Sequence, residues 1–246
     1  MRLDQFVKQQ EQISRHKAQE LISAGHVEVN GVPQNKAAFQ VAEKDVVKIK
    51  NYDLLQYVSR GGLKLEHAIK DLQIQVADKV CFDIGQSTGG FSDCLLQKGA
   101  RQIFGLDVGK EQLAAKIKDN SRVIAVQQLN IKDFDLNALK TALDNKYPDL
   151  IVSDLSFIST LALLPKIATF FGSHTEAILL IKPQFELGAK QVSKQGIVKD
   201  KNRYFDLEKE VEKSCQQAGL LVLDYIHAKP KGRDGNQEFI LYCKKT

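Results

Sequence analysis

The 246-residue chain has no low-complexity tract and no two cysteines at CxxC spacing. It also has no long apolar run free of charge. Each absence narrows the reading. With 43% hydrophobic and 26% charged residues, disorder is set aside for the bulk of the chain. The four cysteines, Cys81, Cys94, Cys215 and Cys243, are scattered. That argues against a zinc site or a disulfide framework, and for buried reduced thiols in a cytoplasmic protein. The opening residues MRLDQFVKQQEQ have no apolar core and do not read as a signal peptide. Leu150 to Phe171 has the length of a membrane span, but Asp154, Pro165 and Lys166 interrupt it. One charge inside a span costs about 2.5–3.5 kcal/mol, so the segment reads as a strand, a loop and a short helix. The net charge of +5 is a mild basic bias. It is compatible with a nucleic-acid partner and does not require one.

What is present falls into two parts. In residues 1–58, Leu3, Phe6 and Val7 stand at helical spacing. Ser14 then precedes RHKAQELISAG, a second helix with a serine N-cap and Gly25 as its stop. HVEVNGVPQN reads as a strand, a tight Asn30–Gly31 turn and a return, and VVKIK as a closing strand. Residues 51–58 read as a linker. RLDQFV, SRHKAQELI and GHVEVNG resemble the S4 domain, a small α+β RNA-binding module. The resemblance implies that Arg2, Arg15 and Lys17 meet phosphates near the helix start, with Asn30 and Lys36 adding contacts from the hairpin.

Residues 59–246 alternate differently. VCFDIG, QIFGLDV, RVIAVQQ, DLIVSD, AILLIK and EFILYCKK read as strands. Stretches near 63–72, 90–98, 110–118, 135–145, 160–171 and 203–218 read as helices. This is the pattern of a Rossmann-like α/β domain with a mostly parallel sheet, whose ligands sit at the carboxyl ends of the strands.

The first strand runs into FDIGQSTGGFSDCLL, a glycine-rich turn leading into a helix. Its spacing is neither the GxGxxG of a dinucleotide fold nor a phosphate-cradling loop ending in GKS or GKT. Asp83 at the strand end is awkward for a pyrophosphate. It suits a ligand that carries an ammonium and a sulfonium, as S-adenosylmethionine does. Asp107, ending the next strand, is placed to accept ribose hydroxyls, and Asn130 to meet adenine. The expected cofactor contacts are Asp83, Gly85, Ser87, Thr88, Gly89, Gly90, Phe91, Asp107, Val108, Asn130, Ile131 and Asp154. No metal is expected.

Asp154 and Lys182 each terminate an apolar strand where a charge has no packing purpose. Taken with SRGGLKL, DIGQSTGGFSDCLLQKGA, DVGKEQL, SDLSFIS, KPQFELG and GNQEF, the whole chain resembles the hemolysin-A (TlyA) family, ribosomal RNA 2′-O-methyltransferases of the RrmJ/FtsJ class. The resemblance implies a catalytic tetrad of Lys64, Asp154, Lys182 and Glu238. It also implies a ribosomal RNA or ribosomal-subunit substrate, with cytidine as target. The family usually has alanine where Gln86 stands, glutamate at Gln127 and Tyr-Gly at Lys110–Glu111. These departures are expected at the rim of the cofactor pocket.

Two basic loops flank the tetrad residues. Lys190, Lys194, Lys199, Lys201 and Arg203 lie in one, and Lys231 and Arg233 in the other. With Arg60, they are expected to meet phosphates. The chain begins almost at the S4 motif and stops just after the last strand, which resembles the family's shorter form, associated with the large subunit. It is expected to act as a monomer. Two rival readings are a membrane-active hemolysin and a non-catalytic ribosome-assembly factor. The first lacks a spanning segment or a strongly amphipathic basic helix, and the intact tetrad speaks against the second.

Overall fold

In the computed structural model, which describes residues 1–50, 55–193, 195–232 and 235–246, the chain divides into two units, Met1–Ser59 and Arg60–Thr246. The first holds α1 (Leu3–Glu11), α2 (Arg15–Ser23), β1 (Val27–Val29), β2 (Val32–Gln34) and β3 (Val47–Ile49). Ser14 caps α2 by accepting a hydrogen bond from the Lys17 backbone N–H at 3.1 Å. Gly25, at φ 74°, turns the chain out of the helix. The β1–β2 hairpin turns on Asn30 and Gly31, both at positive φ (53° and 80°), as a two-residue turn matched to strand twist requires. Strand β1 lies between β2 and β3, antiparallel to both. Leu3 and Val7 of α1 pack with Leu21 and Ile22 of α2 against Val27 and Val29. This core belongs to the unit alone.

The second unit opens with α3 (Gly61–Asp71) and then alternates: β4 (Val80–Ile84), α4 (Gly90–Gln97), β5 (Gln102–Leu106), α5 (Ala115–Lys118), β6 (Val123–Val126) and α6 (Leu136–Ala142). It continues through β7 (Leu150–Ser153), α7 (Thr160–Ala168), β8 (Glu176–Ile181), α8 (Pro183–Glu186), α9 (Arg203–Gln217), β9 (Leu220–His227) and β10 (Phe239–Lys245). The sheet order is β6-β5-β4-β7-β8-β10-β9. Strands β4 to β8 run parallel, and β10 is antiparallel to both of its neighbours. Strands β4 and β7 are buried throughout their length, which is why they read as apolar runs interrupted only by Asp83 in β4 and the closing Ser153 of β7. The order reverses between β4 and β7, and the crevice outside their carboxyl ends is where such a sheet binds ligands. This is the expected Rossmann-like architecture.

Three of these elements differ from expectation. Helix α8, a single turn opened by Pro183, is absent from it. The helix expected over 110–118 shrinks to Ala115–Lys118. Before it, the chain is pinned as a turn, with Glu111 at φ 52° and its N–H donated to the Gln127 side chain at 2.9 Å. Strand β9 is absent from the sequence expectation. It is an edge strand that opens with an apolar run, Leu220 to Leu223, of which Leu221 and Leu223 face solvent, so the run does not mark a buried strand.

The core under the parallel strands is an aromatic cluster. Phe82 meets Phe104 at 5.7 Å and Phe170 at 5.3 Å, ring centre to ring centre, and Phe170 stacks on Phe134 at 5.9 Å. Phe170→Ala should therefore cost about 3–5 kcal/mol in denaturant unfolding. An exposed change such as Phe205→Ala should cost under about 1 kcal/mol in the same measurement.

Candidate active site

The turn after β4 is built by glycine. Gly85 sits at φ 83°, and a Cβ there would stand 2.9 Å from the Leu155 side chain and 3.2 Å from the Asp154 carbonyl oxygen. The turn therefore lies tight against the loop that follows β7. Gly89, the N-cap of α4 at φ 89°, has a different reason. A Cβ there would press on Leu113 and Ile117 at 2.9 and 3.1 Å. Its left-handed φ and this crowding both call for glycine, and Gly90 and Phe91 are buried beside it. Ser87 and Thr88, at the tip, remain partly or fully exposed.

Two carboxylates flank this turn in opposite environments. Asp83 is fully buried. It accepts a 2.6 Å hydrogen bond from Ser92 Oγ on one oxygen, while the other, Oδ1, has no hydrogen-bond partner among the described residues. Burial pushes its carboxyl up to about 7, with Asp154 adding repulsion and the Ser92 hydrogen bond opposing. Asp107 accepts the backbone N–H of Ser87 at 2.8 Å and that of Gly109 at 2.6 Å, one on each oxygen. It thereby clamps the glycine turn to the end of β5. Val108, beside it, is 66% exposed, and Ile131 is buried.

At the ends of β7, β8 and β10, two lysine–carboxylate pairs converge. Lys182 Nζ lies 2.6 Å from Asp154 Oδ1 and donates its directed hydrogen bond to Ser156 Oγ at 2.7 Å. Lys64, on α3, meets Glu238 at 2.5 Å. The pairing of Phe239 with Ile181 makes Glu238 and Lys182 neighbours across the ends of adjacent strands. A Cβ at Gly61 would stand 3.4 Å from Asp154 Oδ2, so the start of α3 lies against the same acid. Lys64, Lys182 and Glu238 are each less than 10% exposed. Side chains from four elements are thus brought to one place.

Residues 57–245 match the model of the FtsJ-like methyltransferases. The chain belongs to that family. Residues 1–47 match the S4 domain, and full-length relatives place the chain in the hemolysin A (TlyA) branch. It is 37% identical over 243 residues to "Hemolysin A" of Brachyspira hyodysenteriae, covering 98% of this chain and 99% of that one. It is 35% identical to the "23S rRNA (cytidine-2'-O)-methyltransferase TlyA" of Campylobacter jejuni, with both chains fully covered. A solved structure from Streptococcus thermophilus, provisionally labelled a hemolysin, superposes with a TM-score of 0.79 at 32% identity, over 100% of this chain and 88% of that one. No helix among the described residues is long and apolar enough to cross a membrane.

Within this FtsJ-like frame, several expected contacts are placed differently. Gln86 is not at the rim. It is buried against Gly105 and donates to Ser92 Oγ at 2.8 Å, completing a relay Gln86–Ser92–Asp83. Asn130 spends its carbonyl oxygen on the Lys132 N–H at 3.0 Å, in its own turn. Lys17 is only 4% exposed and so does not present itself to a phosphate. Asn30 uses both ends of its amide to close the hairpin loop, donating to Asp45 and accepting from the Val46 N–H, each at 2.9 Å. Arg2 and Arg15 are exposed, and both hold the buried Asp4, at 3.0 and 2.9 Å.

The remaining basic residues sit mainly on loops. Lys36, Lys190, Lys199, Lys201 and Lys231 are exposed. Arg203 pairs with Asp206 at 3.0 Å, and Arg60 donates to the Lys231 carbonyl at 3.1 Å. Lys194 and Arg233 lie outside the described residues. Phe157 is a residue near Asp154 that sequence reasoning does not single out. It is 91% exposed at φ 63°, three residues beyond Asp154, with its ring 5.4 Å from that of Phe185. A bulky residue in left-handed backbone is uncommon, and nothing in SDLSFIS announces that conformation.

The raised Asp83 carboxyl has a stability consequence. A folded-state value raised from 3.8 to about 7 means the folded protein holds a proton that the unfolded chain releases. The stability linked to that proton is fully present below about 4 and is lost as pH rises through 7. Asp83→Asn should remove this slope, so its melting temperature should gain on the wild type between pH 5 and 8 in thermal scans. Parallel curves would show Asp83 to be ionised throughout.

Proposed function

We propose that the chain uses S-adenosylmethionine to methylate the ribose 2′-oxygen of cytidine in ribosomal RNA, in the cytoplasm, with residues 1–58 gripping the RNA and residues 59–246 carrying the chemistry. The observation that carries this reading is the pair of buried lysine–carboxylate contacts, Lys182–Asp154 and Lys64–Glu238, at the carboxyl edge of the sheet beside a glycine turn. The residues present fit the cofactor. Asp83 Oδ1 is an orphaned buried acceptor at the glycine turn, suited to an ammonium group. Asp107, already ordered by two backbone N–H groups, keeps lone pairs for ribose hydroxyls. Val108 offers an exposed apolar side chain for a base.

When bound, S-adenosylmethionine supplies an electrophilic methyl group on a sulfonium. The chain's own residues do the rest. Lys182, after giving up a proton to solvent, takes the 2′-hydroxyl proton as the oxygen attacks, and Asp154 and Ser156 hold the ammonium that re-forms. Lys64 and Glu238 orient the target ribose from the other side. Phe157, exposed and packed on Phe185, offers its ring face to the target base once that base has left its stack. Alignment and fixed charge carry the catalysis.

Ribose-methylation mapping by mass spectrometry, on ribosomal RNA from cells with and without the protein, tests the activity directly. A site lost with the gene and restored by the wild type is expected. Lys182→Ala should not restore it, with single-turnover rates down about 10²–10⁴-fold and cofactor affinity unchanged by calorimetry. Lys182→Arg should be nearly as slow, because a guanidinium stays protonated. An arginine variant near the wild-type rate would reduce Lys182 to electrostatic steering.

The S4 unit has its own test. Arg15→Ala should weaken ribosomal RNA binding and lower the slope of affinity against salt by about one charge, with cofactor binding untouched. An unchanged slope would remove Arg15 from the interface.

A further inference from the structure

We propose that Glu186 is the positioning residue for Phe157, holding the loop between Asp154 and Ser159 in the turn that projects the Phe157 ring against Phe185, whose own ring centre lies 6.0 Å from Lys182 Nζ. The proposal rests on the reading of Phe157 as the surface that receives the target base. The loop leaves β7 at Asp154 and enters α7 at Thr160, and between them Phe157 is held at φ 63°, a conformation costly for a bulky side chain. Something must hold it there.

The outer end of the loop is fixed by one carboxylate from another segment. Glu186, the last residue of α8, accepts Ser159 Oγ at 2.5 Å and the Thr160 N–H at 2.8 Å. Ser159 in turn caps α7, accepting the Ala162 N–H at 3.0 Å. Glu186 is four residues beyond Lys182, and the two facing segments meet at three levels. Lys182 reaches Asp154 and Ser156, Phe185 packs on Phe157 at 5.4 Å, and Glu186 closes on Ser159 and Thr160. The middle level joins the aromatic pair to the lysine, whose Nζ lies 6.0 Å from the centre of the Phe185 ring. A helix cap alone needs no carboxylate from a second segment, because Ser159 already supplies the cap. The extra anchor fixes where the loop stands relative to Lys182.

The test is a double-variant cycle read by single-turnover methylation of ribosomal RNA, with cofactor affinity and melting temperature measured alongside. Glu186→Ala should slow transfer about 10- to 100-fold and leave cofactor affinity within about two-fold of the wild type. Glu186→Gln should restore most of the rate, since its amide accepts from the Thr160 N–H and donates to Ser159 Oγ. Phe157→Ala should be slow as well, and adding Glu186→Ala to it should slow it no further, because the ring that Glu186 places is already gone. Multiplying effects, or Glu186→Ala at the wild-type rate while Phe157→Ala is slow, would overturn the proposal alone. Full activity in Phe157→Ala would overturn the base-platform reading and this proposal with it. If Glu186→Ala does not fold, Glu186→Asp, too short to reach both partners, takes its place in the cycle, and the same outcomes support or overturn the proposal.

Discussion

Lys182 and Asp154, whose side chains are 9% and 24% exposed, carry opposite charges 2.6 Å apart at the ends of neighbouring strands. The buried Lys182 alone would be costly there, because an uncompensated buried ion costs several kcal/mol. The same holds for Lys64 and Glu238, whose side chains are 10% and 4% exposed. Each pair is drawn from two elements distant in sequence, so neither is satisfied until the sheet and α3 have assembled around them. The apolar runs of β7 and β8 do the assembling. The register of β10 against β8 then sets Glu238 next to Lys182. Four charges that add little to the core are thereby held at fixed separations, as a site that works by electrostatic preorganisation requires.

The two carboxylates of the glycine turn show how one motif separates two tasks by environment. Asp107 stands where backbone N–H groups reach both of its oxygens and hold it in one orientation. Asp83, one strand over, is enclosed and keeps one oxygen unpartnered among the described residues. A buried acid with a spare acceptor and a raised proton affinity attracts a cation and surrenders its proton when one arrives. The relay from Gln86 through Ser92 reaches only the other oxygen. Gln86 therefore supports the acid from one side and leaves Oδ1 untouched.

Much of this is legible in the sequence because strong local signals agree with the global fold. The Ser14 cap, the Asn30–Gly31 turn and the buried runs of β4, β7 and β8 each specify their own backbone. Asp154 and Lys182 are readable as site residues because a charge that ends an apolar strand has no packing role. What escapes depends on tertiary context. Lys17 is a surface residue by type and buried by position, and Asn30 is a contact residue by resemblance and a loop clasp by geometry. Strand β9 hides because an edge strand need not alternate. Phe157 and Glu186 owe their significance to a backbone angle and to a contact across 26 residues, and neither leaves a pattern in the string of letters.

The S4 unit follows the same logic of charge held by charge. Asp4 is fully buried and accepts from Arg2, Arg15 and Gln19, and these donors, Arg2 first, keep its carboxyl well below the usual carboxylate range. Its negative charge is therefore permanent, and two guanidinium groups share it. Each arginine spends its inner edge on Asp4 and stays about half exposed. An arginine anchored in this way has already lost much of its rotamer freedom, so docking a phosphate on its outer face costs less entropy than it would with a free lysine. Lys17 is buried and Asn30 closes its own loop, so of the basic and amide side chains that the S4 resemblance singles out, Arg2, Arg15 and Lys36 are the ones that keep exposed surface.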